Sequence, residues 1–189
     1  MARLIYGENP FYGIPASEQI GIAWVLWNRK MSGYGNDHTL FDVATHPTEF
    51  SAICDASEQS RKPNITTIQW KTAVLYACYL YCAETTNLEN PTARLNAVMS
   101  IPFGMISNHI YFYDYDTAMA MLQNGTTLRF AVIAGYGSIG STPASLESNY
   151  LAYDEAIYEA DGYHLLTQAS SLTEDVNGYY EKVNIFYCD

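Results

Sequence analysis

Basic residues are scarce in this 189-residue chain, which carries nine Lys and Arg against 20 Asp and Glu, a net charge of −11. A nucleic-acid-binding surface needs clustered Lys and Arg to neutralise phosphates, so the composition argues against that class of protein. No apolar run approaches the roughly 18 to 20 residues that span a bilayer, and the N-terminus lacks the basic-then-apolar pattern of a signal peptide. We therefore predict no membrane span, and any export would use a signal outside this chain or another route.

Cysteines are also few, and four are not enough for a disulfide scaffold at this length. Cys78 and Cys82 lie four residues apart in a predicted helix, where an intrahelical bridge has poor geometry, so we interpret both as small core residues. Their spacing is not CxxC and the four histidines are scattered, so the sequence predicts no metal site and no cofactor.

The negative charge is concentrated in the second part of the chain. Residues 1–100 contain seven Lys and Arg and nine Asp and Glu, a balance of −2, whereas residues 101–189 contain two Lys and Arg and eleven Asp and Glu, a balance of −9. The two parts are expected to have different roles, and the acidic part is a candidate surface for a protein partner. A solvated face that limits adhesion to anionic polymers explains the same charge.

Hydrophobic residues make up 49% of the chain, which is ample for a core. Their spacing predicts helices over residues 17–30, 39–45, 64–87, 91–100, 116–125 and 146–162. The long helix at 64–87 is expected to be largely buried. Aromatic and β-branched runs predict strands at 109–115, 128–137 and 178–189, with a Gly- and Ser-rich loop at 135–145. The fold class is therefore α+β, mainly helical, with a small β element.

The segment "ARLIYGENPFYG", residues 2–13, places Glu8 after a short apolar run and directly before Asn-Pro. A carboxylate at the C-terminal end of a helix opposes the helix dipole, and partial burial there favours the protonated form that a general acid requires. On this segment alone, an ordinary polar helix end is the better explanation. Seventeen tyrosines add a modest indication of a glycan ligand, because aromatic faces stack on sugar rings.

Three further segments follow Glu8 in a specific order. "EQIGIAWVLWNR" contains Gln19, Asn28 and Arg29, "HPTEFSAI" contains Phe50 and Ser51, and "WKTA" opens the long helix. Together with "ARLIYGEN", this series resembles the bacterial cell-wall hydrolases typified by the germination spore-cortex-lytic enzyme, over roughly the first 85 residues. The chain departs from the family directly after the acid, where "NPFYG" replaces the family's "ARGE".

The resemblance implies a lysozyme-like, lytic transglycosylase-like domain that cleaves the β-1,4 bond between N-acetylmuramic acid and N-acetylglucosamine in peptidoglycan glycan strands. Glu8 would be the catalytic acid and base, acting at the bacterial cell wall or spore cortex, or on the wall of a phage host. The substrate contacts that it implies, at the level of segments, are Tyr6, Gln19, Phe50, Ser51, Tyr111 and Tyr113.

A lytic transglycosylase can work with one carboxylate, because its nucleophile comes from the substrate, whereas a usual hydrolase needs a second carboxylate about 5 to 9.5 Å away. Glu18, Asp42 and Glu49 are candidates for a second carboxylate only by their proximity in sequence. The alternatives to a transglycosylase are a hydrolytic muramidase and a catalytically inactive glycan-binding or phage-structural module of the same fold.

The resemblance also leaves two divisions of the chain open. In the first, residues 1–113 form the hydrolase core, residues 114–178 are an acidic insertion, and residues 179–189 supply a closing strand of the same domain. In the second, "ISNHIYFY" is itself the closing strand, and everything after it is an appendage.

Overall fold

The computed structural model describes residues 1–8, 16–47, 50, 62–86, 89–161 and 184–188. The helices in these residues are α1 (Ala2–Glu8), α2 (Ala16–Ser32), α3 (Leu40–Thr45), α4 (Ile68–Thr85), α5 (Pro91–Val98), α6 (Tyr115–Gln123) and α7 (Pro143–Asp161), with a 3₁₀ turn at Tyr34–Asn36. The strands are β1 (Tyr111–Asp114), β2 (Arg129–Ile133), β3 (Gly137–Ser138) and β4 (Asn184–Cys188).

Side-chain caps mark the N-terminal ends of several of these helices, close to the predicted starts. The Thr39 hydroxyl accepts a hydrogen bond from the Asp42 N–H, and the Asp42 carboxylate accepts one from the Thr39 N–H, which together form a capping box at the start of α3. Asn90 caps α5, whose first residue is Pro91. Such caps satisfy backbone N–H groups that the first helical turn leaves without partners.

The four strands form one antiparallel sheet in the order β1-β4-β2-β3, so the last strand in the chain lies between strands that precede it. Tyr111 on β1 pairs with Tyr187 on β4, and Val132 on β2 pairs with Phe186. All five residues of β4 are buried. After β1 the chain re-enters the sheet as β2 and β3, and β4 then fills the position between β1 and β2.

Alternation along β4 separates two cores, one on each face of the sheet. Phe186 and Val132 pack into a cluster with α1, α2 and α4, which contains both buried tryptophans. Ile185 and Tyr187 point to the opposite face, where they pack with α6 and α7. Because successive strand residues face opposite sides, one fully buried strand holds the two helical layers together.

These elements confirm the mixed, mainly helical fold with a small sheet. The predicted Gly- and Ser-rich loop contains the two-residue strand β3. β4 adjoins β1, as a closing strand after an insertion would, but the domain boundaries at 113/114 and 178/179 stay a prediction.

The expectation that the long helix α4 is largely buried was wrong. Its buried residues are Ala73, Tyr76, Leu80 and Ala83, which share one face. Apolar side chains on the other face are open to solvent, with Tyr81 58% exposed. Cys78 and Cys82 are also exposed, so they are not core residues. The helix is apolar all round, and such a composition does not distinguish the face that packs from the face that does not.

Candidate functional site

Glu8 is the last residue of α1 and is partly buried. It follows Leu4 by four residues and Ile5 by three, so it continues the stripe of the helix that those two fully buried side chains occupy. Because the helix ends there, the carboxyl lies at the edge of the core.

Tyr6, a predicted sugar contact, lies on the other side of α1 and is 5% exposed. Its hydroxyl accepts a hydrogen bond from the Asn64 backbone N–H at 3.3 Å. Its ring meets the Trp70 ring edge-on, with the centroids 5.6 Å apart. This burial favours a structural role, in which Tyr6 joins the end of α1 to the beginning of α4.

Gln19 is also buried, at 4% exposure, and its side-chain amide donates to the Gln69 carbonyl at 3.3 Å. Asn28 donates through its side-chain amide to the His109 carbonyl at 3.0 Å. Arg29 donates from Nε to the Ile110 carbonyl. The polar residues of the second segment therefore make internal contacts, and the last two fix the backbone that leads into β1.

Aromatic rings surround the guanidinium of Arg29, which is 4% exposed. The guanidinium carbon lies 4.8 Å from the centre of the Phe50 ring, 5.0 Å from that of Tyr34 and 5.6 Å from that of Tyr111. A cation held over ring faces in a desolvated position is stabilised by the ring quadrupoles. This arrangement explains why an Arg can be buried at this point of the core.

Phe50 and the two β1 tyrosines occupy different environments. Phe50 is 1% exposed, which favours packing over the predicted contact with a glycan. Tyr111 is half-buried and stacks on Tyr187, with the ring centres 5.3 Å apart. Tyr113, 40% exposed, stacks on the other side of Tyr187 at 5.7 Å. Ser51 lies outside the described residues. Of the predicted sugar contacts that are described, Tyr113 therefore has the most accessible ring.

The carboxyl of Glu18 is buried at the beginning of α2. It is 2% exposed, and its Oε1 accepts the Asn184 backbone N–H at 2.7 Å. Its Oε2 is buried without a hydrogen-bond partner. Burial raises the pKa of Glu18 from 4.5 to about 8, against the opposing effect of the Asn184 hydrogen bonds. The sequence indicates Glu18 as a candidate second carboxylate by its proximity to Glu8, and it does not predict that Glu18 is buried. The signal was its position four residues before Ile22, on the apolar stripe.

The other carboxylates proposed by proximity have different positions. Asp42 is partly exposed, and the pKa of its carboxyl is lowered by hydrogen bonds from Thr39. It belongs to the capping box at the start of α3. Glu49 lies outside the described residues. On α7, the side chains of Glu147, Glu155 and Glu159 are exposed, whereas Asp154 is 3% exposed. The role of the acidic residues in binding a partner stays a prediction.

No protein-family model, curated protein or solved structure matches this chain. In the part of the chain that the structure describes, no three His, Cys, Asp or Glu side chains are placed to hold a metal ion. Nor does any described helix combine the length and the apolar character needed to cross a membrane.

Proposed function

We propose that this chain cleaves the β-1,4 bond between N-acetylmuramic acid and N-acetylglucosamine in peptidoglycan, as a lytic transglycosylase with Glu8 as its general acid and base. The observation that carries the proposal is the position of Glu8. It is a carboxyl on the inward stripe of α1, yet only partly buried, because the helix ends at this residue. A general acid must be reachable by its substrate, and a partly buried carboxyl at a helix end meets that requirement.

One carboxyl is sufficient for both proton transfers of this reaction. Protonated Glu8 gives its proton to the glycosidic oxygen as the bond from the muramic acid C1 breaks. The resulting carboxylate then takes the proton of the muramic acid O6 hydroxyl, while that oxygen bonds to C1 and closes a 1,6-anhydro ring. Glu8 ends the cycle protonated, and no water is consumed.

The positions of the other carboxylates favour this single-acid chemistry over hydrolysis. A hydrolase of the usual kind needs a second carboxylate that reaches the sugar or a water molecule. Glu18 is buried against the backbone of β4, and Asp42 caps α3. Two of the three sequence candidates for a second carboxylate therefore have structural roles.

Contacts among the four segments of the resemblance support treating them as one unit. Tyr6 contacts Trp70, Gln19 binds the Gln69 carbonyl, and Arg29 lies over the Phe50 ring. Segments that are far apart in sequence thus pack together in the same core as the helix that ends at Glu8. We propose that this core is lysozyme-like, and that the protein acts at the bacterial cell wall or spore cortex, or as a phage lysin.

The test is to incubate the purified protein, Glu8→Gln and Glu155→Gln with peptidoglycan, and to measure the masses of the released muropeptides. We expect anhydro-muramic acid products from the unchanged protein and from Glu155→Gln, whose carboxyl is exposed on α7. Glu8→Gln should lose at least about a hundredfold in rate, the range expected for loss of a general acid.

Three outcomes would redirect the proposal. Equal activity of Glu8→Gln and the unchanged protein would remove Glu8 from the mechanism. Products with ordinary reducing ends would indicate hydrolysis and a second carboxylate. Binding to peptidoglycan without any product would favour an inactive glycan-binding or phage-structural module.

A further inference from the structure

An open groove lies between the segment that precedes β1 and the turn that joins β2 to β3. Its volume is about 320 Å³. Phe103 and Phe130 line it, and they are 74% and 69% exposed. We call it the Phe103–Phe130 groove. Ligand sites of this size class combine apolar walls with a few polar groups.

Buried contacts hold both walls of the groove in place. His109 is fully buried, its Nδ1 accepts the Ile106 backbone N–H at 2.7 Å, and its Nε2 lies 2.7 Å from the Phe130 carbonyl oxygen. With Nδ1 as an acceptor, the proton is on Nε2 and is donated to Phe130. His109 therefore joins the two walls, and neither ring nitrogen is left over for a ligand.

The floor of the groove requires glycine. Gly104 has φ +87°, and a Cβ there would lie 2.9 Å from the Gly137 Cα. The two backbones are thus in direct contact, which a side chain at Gly104 would prevent.

Phe130 is held outward by an unfavourable backbone conformation. It lies where the pairing of β2 with β4 is irregular, and its φ is +52°, in the left-handed region that phenylalanine seldom adopts. Such conformations persist only where the surrounding structure imposes them, and they are frequent at ligand sites. Two exposed aromatic rings on a fixed frame therefore face one groove.

The charges of the residues that line the groove indicate which class of ligand it suits. None of the described lining residues carries a formal charge, and two of them, Tyr136 and Ser138, are hydroxyl-bearing residues. The rest of this half of the chain is strongly acidic. An uncharged molecule with an apolar face and hydroxyl or amide groups suits such a lining better than a phosphate or a charged peptide. N-acetylated sugar rings have those properties, and their apolar faces stack on aromatic rings.

The groove also adjoins the start of α2. The turn that lines it contains Gly135, where a Cβ would lie 2.8 Å from the Ser17 Cβ. The Gly135 N–H donates to the Phe103 carbonyl at 3.0 Å. The same turn therefore touches both the groove wall and the first turn of α2, the helix that follows Glu8 in the chain.

We propose that the Phe103–Phe130 groove is a glycan-binding subsite for N-acetylated sugar rings of the peptidoglycan strand. The proposal rests on the proposed function for its choice of polymer. The two rings stack on sugar faces, and the hydroxyls of Tyr136 and Ser138 bind the sugar's polar groups.

The test measures binding apart from cleavage. Titrations with the N-acetylglucosamine tetramer by calorimetry, and sedimentation with purified peptidoglycan in the Glu8→Gln background, compare three variants. Phe103→Ser removes one ring. Phe130→Asn removes the other and keeps a residue that tolerates positive φ. Phe41→Ser is the matched control, since Phe41 is 73% exposed and does not line the groove.

We expect each groove variant to weaken binding about tenfold, the effect of losing one stacked ring, and the control to leave it unchanged. Unfolding midpoints of all three should stay close to that of the unchanged protein. Equal weakening by the Phe41 control, or none by either groove variant, would overturn the subsite.

Different results would reject the subsite and the proposed function. Cleavage that depends on Glu8 with unaffected groove variants would reject the subsite alone. Glycan binding that depends on Phe103 and Phe130 without cleavage would reject the enzyme alone. Self-association that either variant abolishes would assign the groove to a contact between copies and overturn the subsite, and absence of any glycan binding would reject it outright.

Discussion

The buried carboxyl of Glu18 makes the stability of the protein depend on pH in an unusual direction. Most paired carboxylates have lowered pKa values and stabilise a protein as pH rises. Here burial raises the pKa from 4.5 to about 8, so the folded state keeps a proton that the unfolded state has already lost. The contribution is complete below pH 4.5 and falls as pH rises, until it is lost above about pH 8.

The size of the effect follows from that difference in pKa. One pKa unit corresponds to about 1.4 kcal/mol, so the free energy of unfolding should fall by about 1.4 kcal/mol per pH unit in this window from Glu18 alone. Over the whole window the loss is about 5 kcal/mol, a large part of the stability of a domain. At high pH the ionised carboxylate would be buried with one oxygen, Oε2, that has no hydrogen-bond partner.

Glu18→Gln tests this argument, since Gln keeps an oxygen for the Asn184 N–H and has no proton to lose. We expect the variant to match the original protein within about 1 kcal/mol near pH 5 and to exceed it by about 3 kcal/mol or more at pH 8. Urea unfolding followed by tryptophan fluorescence at several pH values gives both curves, with Glu155→Gln as the exposed control. Parallel curves for Glu18→Gln and the unchanged protein would refute the reasoning.

Two further predictions concern packing and exposure. Gly21→Ala should destabilise the protein by about 1 to 3 kcal/mol despite the better helix propensity of Ala, because its Cβ would lie 2.7 Å from the Phe186 ring. Urea unfolding measures this loss of stability. If adding Phe186→Leu to the variant recovers no stability, the predicted clash is contradicted. Replacing Cys78 and Cys82 together by Ser should remove two thiols that react rapidly with a thiol reagent in the native protein. Cys188→Ser, at a buried position, should leave the number of rapidly reacting thiols unchanged. Slow reaction of the thiols at 78 and 82 would contradict the exposed face of α4.

Local signals in the sequence were sufficient for most elements. Asn90-Pro91 marks the start of α5, and the apolar spacing over residues 17–30 predicts most of α2, which runs from Ala16 to Ser32. Each of these depends on hydrogen bonds or side chains within a few residues, which the sequence contains directly. The order of the sheet depends instead on which distant strands meet, and the position of β4 between β1 and β2 has no local signal.

The face of a helix that packs is harder to predict when both faces are apolar. Along α4, Ala73 and Leu80 are buried, while Leu75 is 46% exposed. Hydrophobicity does not separate these residues, because the choice depends on where α1, α2 and α5 lie. The same limit explains why Cys78 and Cys82 were assigned to the core.

The predicted site divides in a similar way. Asn28 and Arg29 belong to the series that resembles the cell-wall hydrolases, yet both bind the backbone that leads into β1. Residues that match a family's pattern can be residues that stabilise the fold or residues that contact a substrate, because both roles require specific side chains. Sequence order therefore does not assign roles within the series.

Burial and position supply the distinction that order does not. Glu8 and Glu18 each lie on an apolar stripe of a helix. Glu18 is in the first turn of α2, accepts a hydrogen bond from β4 and is 2% exposed, whereas Glu8 ends α1 and is only partly buried. A proton on Glu18 stabilises the fold, and it is enclosed by the packing that raises its pKa. The Glu8 side chain, only partly buried at the end of α1, is not enclosed to the same degree. Of these two carboxyls, Glu8 is therefore the one that fits the proposed role of general acid.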